Sequence, residues 1–118
     1  MTFKSILTFF FFVVMDILGS NKMIESNFQH GLIETLKNRF EGCIVLKNDA
    51  NYIQGIPDLL VLYKNHWAAL ECKVHSTAHH RPNQDYYVEK MNEMSFAAFI
   101  FPENKEEVLN AMEQSFCA

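Results

Sequence analysis

Residues 55–73 read Gly-Ile-Pro-Asp-Leu-Leu-Val-Leu-Tyr-Lys-Asn-His-Trp-Ala-Ala-Leu-Glu-Cys-Lys, and they constrain the fold more than any other part of the chain. Two apolar runs, residues 59–63 and 67–70, flank the polar triplet Lys64-Asn65-His66. That pattern predicts a hairpin of two buried strands joined by a short turn. Asp58 opens the first strand, and Glu71 and Lys73 close the second. Side chains alternate faces along a strand, so Glu71 and Lys73 point one way and Cys72 the other. In an antiparallel hairpin the start of one strand lies beside the end of the next, which brings Asp58 to Glu71 and Lys73. Charges gathered at one end of an apolar hairpin signal a metal site or chemistry. The plainer alternative is a salt bridge between the hairpin ends.

The flanking segments supply the rest of a layered domain. Residues 24–40 place Ile24, Phe28, Leu32, Ile33, Leu36 and Phe40 at helical spacing, with Gly42 as a natural C-terminal cap. Glu25 and Gln29 lie one turn apart beside that stripe, and Glu25 also suits an ordinary first-turn acid. Residues 43–46 read as a short strand and 47–55 as a polar loop, with Asn48 and Tyr52 at the mouth of the site. Residues 74–81 form a polar loop; His75, His79 and His80 lack a fourth zinc ligand, so the loop is read as phosphate-facing. Pro82 fits the first turn of a helix reaching about Met94, with Tyr86, Met91 and Met94 as burial candidates. Residues 96–101 are an apolar strand stopped by Pro102. Residues 103–116 are an amphipathic helix with Val108, Leu109, Met112 and Phe116 inward. The order helix, three strands, helix, strand, helix predicts an α/β layer fold, its fourth strand joining in parallel through the crossover helix.

Pro57-Asp58, an apolar strand, and then Glu71-Cys72-Lys73 resembles the PD-(D/E)xK nuclease signature. The fuller run Gly-Ile-Pro-Asp-Leu-Leu, with Glu25 upstream and Gln84 downstream, is most similar to the small phage-type VRR-NUC nucleases, which resemble Holliday-junction resolvases. The similarity covers roughly residues 24–112. Its specificity comes from placing the acidic-x-lysine triplet at the end of a strand, with Gly-x-Pro-Asp at the start of the preceding one. The resemblance implies a restriction-endonuclease-like core (αβββαβ plus a C-terminal helix), with a central mixed four-stranded sheet flanked by helices. It implies Asp58, Glu71, Lys73 and Gln84 as catalytic residues. Asp58, Glu71, Glu25 and the Cys72 carbonyl would hold Mg²⁺ or Mn²⁺, since hard oxygen donors suit those ions. Gln29, Asn48, His75 and Arg81 would contact the substrate. The helix beginning near Gln84 departs from the Q-x-x-x-Y of RecB-like members, because its fifth position is Val88.

The implied partner is DNA, branched or duplex, cut in phage replication, recombination or repair. A homodimer is expected if junctions are resolved, because resolution needs two active sites. The alternative is a non-catalytic nucleic-acid- or protein-binding domain of the same fold. The implied location is the bacterial cytoplasm, for a bacterial protein or a phage protein in its host, with no stable membrane association.

At 118 residues, with 49% apolar and 20% charged residues, the chain suits one globular domain and excludes a disordered one. A net charge of −4 runs against a nucleic-acid binder, which normally shows a basic face. The charge is uneven, however. Glu103, Glu106, Glu107 and Glu113 crowd the C-terminus, while Lys73, His75, His79, His80 and Arg81 cluster after the active strand. Cys43, Cys72 and Cys117 have no metal-ligand spacing and read as free thiols, buried in a reducing compartment. Residues 1–22 form an apolar extension with three readings, in order: a mis-assigned start preceding Met23, an N-terminal helix packing on the domain, and a signal-like segment. Residues 23–118 carry everything that matches the nuclease pattern.

Overall fold

The computed structural model describes residues 21–118. The apolar N-terminal extension therefore lies almost wholly outside the described residues. The elements are α1 (Asn21–Arg39), β1 (Ile44–Lys47), β2 (Leu59–Tyr63), β3 (His66–Cys72), α2 (Gln84–Met94), β4 (Phe96–Ile100) and α3 (Lys105–Cys117). The four strands form one sheet in the order β1-β2-β3-β4. The first three are antiparallel, and β4 joins β3 in parallel. This is the α/β fold with a mixed four-stranded sheet that the element order predicts.

The hairpin is tighter than the sequence suggests. Tyr63 pairs with His66, so the turn is Lys64-Asn65 alone, and Lys64 takes the left-handed conformation at φ 55°. Alternation then divides the sheet into two faces. Leu59, Val61, Ala68, Leu70 and Ile100 pack with Leu32 and Leu36 of α1, with Phe40 just beyond its end, and with Leu109 and Met112 of α3. On the opposite face, Leu60, Trp67, Ala69, Ala97 and Phe99 meet Val88 and Met91 of α2. The first cluster is the main core. Leu36→Ala should destabilise the fold by about 2–5 kcal/mol, the usual cost of emptying a fully buried leucine site. Chemical denaturation would measure it.

Three details differ from the sequence reading. The crossover helix starts at Gln84 rather than Pro82, because Asn83 takes φ 70° just before it. Its sheet-facing positions are Gln84, Val88 and Met91, spaced by four and three; Tyr86 and Met94 fall off that stripe and are exposed. Helix α1 runs through Met23, so Glu25 sits beyond the first turn, which holds no acid. The dipole reading of Glu25 as a first-turn acid is thereby removed. Of the cysteines, all free, Cys72 is buried, Cys43 half-buried and Cys117 exposed. No helix among the described residues is long and apolar enough to cross a membrane.

Candidate metal centre and its surroundings

The antiparallel register places Leu59 opposite Leu70, so Asp58 and Glu71 come together at the end of the hairpin. Two reciprocal bonds fix them. The Asp58 backbone N–H donates to Glu71 Oε2 at 3.0 Å, and the Cys72 N–H donates to Asp58 Oδ2 at 2.9 Å. Helix α1 crosses the same end of the sheet and adds Glu25. Carboxylate oxygens of Glu25, Asp58 and Glu71 all lie within 4.8 Å of one another.

Lys73 is nearly buried but is not simply paired with Glu71, whose Oε1 lies 4.0 Å away. Gln84 stands between them. Its Nε2 donates to Glu71 Oε1 at 2.6 Å, while its Oε1 accepts from Lys73 Nζ at 2.7 Å and from the Arg81 N–H at 2.8 Å. Lys73 Nζ also donates to the His79 carbonyl at 3.1 Å. The plain salt bridge between hairpin ends is thus replaced by a relay through a buried amide, which fixes both the carboxylate and the ammonium. The relay tests simply. Gln84→Leu keeps the volume but removes three hydrogen bonds, and should lower thermal stability by roughly 2–4 kcal/mol because Glu71 and Lys73 are left buried without it.

Electrostatics at this end are unbalanced. Burial, reinforced by Asp58, pushes the Glu71 carboxyl up to about 8, against the pull of Lys73 and the Asp58 N–H. Burial also raises Asp58, opposed chiefly by the Cys72 N–H and Lys73, and raises Glu25, with Asp58 adding to the effect. Folding therefore favours the protonated acids. Their stabilisation is complete below the unfolded carboxyl range near pH 4.5 and declines as pH rises towards 8. In EDTA the melting temperature should fall between pH 5 and pH 8. A divalent ion that binds the carboxylates should flatten that decline; calorimetry at the two pH values, with and without Mn²⁺, measures both.

Two concavities meet at Glu25 and Arg81. A small one, about 160 Å³, is lined by Glu25, Ser26, Gln29, Asp58 and Arg81. A larger one, about 440 Å³, runs along Lys73, His75, His79 and Arg81. Gln29, His75 and Arg81 thus border the carboxylate cluster or its neighbouring cavity. Beside Gln29, burial pushes the Cys72 thiol well up. Asn48 has a different position. Its side-chain Nδ2 donates to the Pro57 carbonyl at 2.8 Å and its N–H to the Asp58 carbonyl at 2.8 Å, so it holds the backbone that presents Asp58.

Two features had no signal in the sequence. Gly55 has φ 89°, and a Cβ there would lie 2.6 Å from the Cβ of Asn83 and 2.8 Å from the Pro82 carbonyl. The loop before Asp58 therefore abuts the loop before Gln84. His80 stacks on Phe99 with ring centroids 4.2 Å apart and contacts Asp85 through Nδ1 at 2.7 Å. That pair clamps the 74–83 loop onto β4 and α2. A residue five positions from its partner across a helix start is not recognisable before the helix is placed.

Comparison with family models, curated proteins and solved structures finds no match. The class that the fold defines is an α/β domain with a mixed sheet and an acidic cluster, backed by a lysine, at the sheet end.

Proposed function

We propose that this chain is a divalent-metal-dependent DNA endonuclease with a restriction-endonuclease-like core, of the PD-(D/E)xK kind and closest in character to phage-type VRR-NUC nucleases. The observation that carries the reading is the meeting of Asp58, Glu71 and Glu25 beside a buried Lys73. Three carboxylates crowded together, all with raised affinity for protons, form a place that a small hard cation relieves. The donors are all oxygens, as Mg²⁺ or Mn²⁺ requires, and their spacing fits one ion after small side-chain adjustments.

When bound, such an ion supplies an acidified water and positive charge beside the scissile phosphate. Glu25, Asp58 and Glu71 would hold it, with the Cys72 carbonyl as a further donor. Lys73 orients the attacking water and stabilises charge developing on the phosphoryl oxygens. Gln84 keeps Lys73 and Glu71 in register through its amide. Arg81, His75 and Gln29 contact the strand around the scissile bond. Hydrolysis breaks one P–O bond and leaves a phosphate on one product end and a hydroxyl on the other.

The partner is DNA, and resolution of four-way junctions would require a symmetric pair of sites, hence a homodimer. The setting is the bacterial cytoplasm, for a host or phage protein. The net charge of −4 favours a second reading, a non-catalytic binding domain of the same fold. Labelled four-way, flap and linear DNA incubated with Mg²⁺, Mn²⁺ or EDTA separates the two. Metal-dependent cutting, slowed about 10²–10³-fold in Lys73→Ala with DNA binding kept, is the expected result. A folded protein that binds DNA but cuts none of these under either metal would leave the binding-domain reading.

A further inference from the structure

Two backbone groups of the 74–83 loop complete the relay at the sheet end. The His79 carbonyl accepts from Lys73 Nζ at 3.1 Å, and the Arg81 N–H donates to Gln84 Oε1 at 2.8 Å. Those groups belong to the peptide units on either side of one residue, His80. Each peptide unit is a rigid plane, so a backbone rotation at His80 displaces both groups. The backbone at His80 thereby places the Lys73 ammonium and the Gln84 amide. Through Gln84 Nε2 it also places the Glu71 carboxylate.

The His80 side chain anchors that backbone to the sheet. Its ring stacks on Phe99, with centroids 4.2 Å apart and planes 17° from parallel, and its Nδ1 lies 2.7 Å from Asp85 Oδ1. Phe99 is the register partner of Glu71 across β3 and β4, so the stack stands beside the carboxylate. The two holds are unequal. The Asp85 side chain is 76% exposed, and a polar contact so open to water contributes little. The ring lies flat against a second ring, a contact made by area and shape rather than by charge. Further back, the loop bonds to itself: Thr77 Oγ1 lies 2.9 Å from His75 Nδ1, and the Ala78 N–H donates to the His75 carbonyl at 3.1 Å.

We infer that His80 is a positioning residue of this site: stacked on Phe99, it holds the His79 carbonyl and the Arg81 N–H where they fix Lys73 and Gln84 for the chemical step. The inference rests on the nuclease reading and adds to it a residue that acts through others. Lys73 serves the attacking water and the phosphoryl oxygens. A shift of its ammonium therefore lowers turnover and leaves DNA binding nearly as it was. Misplacing a reacting group by about 1 Å can slow a reaction by up to about a hundredfold.

Three variants of the full-length chain test this: His80→Ala, His80→Phe and Asp85→Ala. Amide hydrogen exchange at Arg81, read by NMR, reports the bond to Gln84 without any cleavage assay. Cutting of DNA in Mn²⁺, resolved into kcat and KM, reports the site. His80→Ala should speed exchange at Arg81 at least about tenfold while the amides of β2 and β3 keep their protection. It should lower kcat about 10–100-fold and leave KM within about twofold. His80→Phe keeps a flat ring on Phe99 and should recover both the Arg81 protection and most of kcat. Asp85→Ala should stay within about threefold of the parent in kcat. Unchanged Arg81 exchange and kcat in His80→Ala overturn the assignment and leave the nuclease standing. A loss of kcat that His80→Phe does not recover also overturns it, because the imidazole then has chemistry of its own. Protection lost throughout β2 and β3 in His80→Ala makes the residue a general support of the fold and overturns it as well. If the parent cuts no DNA, the nuclease reading falls, and Arg81 exchange in His80→Ala and His80→Phe still decides whether His80 holds the relay.

Discussion

Glu71→Gln is expected to abolish metal-dependent DNA cleavage, lowering the rate by at least about a thousandfold, while the protein folds as well as or better than the parent above pH 7. The two halves share a cause. Glu71 is 2% exposed, and burial beside Asp58 raises its carboxyl to about 8, so its charged form is costly in the metal-free protein. A glutamine has nearly the same shape and carries no charge into that space. Its amide oxygen can still accept from the Asp58 N–H or from Gln84 Nε2, the two donors that Glu71 now satisfies. The decline in stability between pH 5 and pH 8 should therefore shrink in the variant. Catalysis has no such substitute. A neutral amide is a poor ligand for a hard cation, and the charge stabilisation that an ion supplies at a phosphoryl centre amounts to several kcal/mol. Cleavage assays in Mg²⁺ and melting curves in EDTA, on the same preparation, measure both halves. A variant that cuts at parental rate would remove Glu71 from the metal site.

A stability effect as large as that of emptying a core site is expected outside the core. Gly55→Ala should cost roughly 3 kcal/mol or more and lower the melting temperature by well over 10 °C. Gly55 has φ 89°, a conformation that costs a residue with a side chain about 1–2 kcal/mol. The added methyl would also sit 2.6 Å from the Asn83 Cβ and 2.7 Å from its carbonyl carbon, where backbone must move rather than a flexible tip. Movement there separates the segment leading to Asp58 from the one leading to Gln84. Cleavage should fall together with stability. As a contrast, Gly42→Ala should be milder, because Gly42 also has positive φ, at 87°, but a Cβ there would meet nothing within 4 Å. The difference between the two variants isolates the steric part.

Much of this arrangement is legible from local pattern. The apolar runs on either side of Lys64-Asn65 predict β2 and β3, and alternation puts Glu71 and Lys73 on one face because a strand's period is two. The four-residue spacing of Leu32, Leu36 and Phe40 predicts the inward side of the first helix. Where only a stripe's phase is at issue, pattern is less secure. Tyr86 and Met94 were as apolar as Met91, but Gln84 takes the inward position beside Val88, because the polar relay at the sheet end needs it there. A polar residue on the buried face is invisible to a reading that ranks positions by hydrophobicity.

By itself the sequence determined the hairpin, the order of elements and the meeting of Asp58 with Glu71, since each follows from contacts between near neighbours or from strand pairing across a two-residue turn. The resemblance names Glu25 and Gln84, but only the tertiary structure decided how such distant groups reach that end of the sheet. Glu25 reaches it because α1 packs across the sheet, Gln84 because the crossover returns to lay β4 beside β3, and Asn83 because Gly55 leaves room for it. Those contacts depend on how helices seat on the twisted sheet through side chains far apart in the chain, and local periodicity carries no record of that.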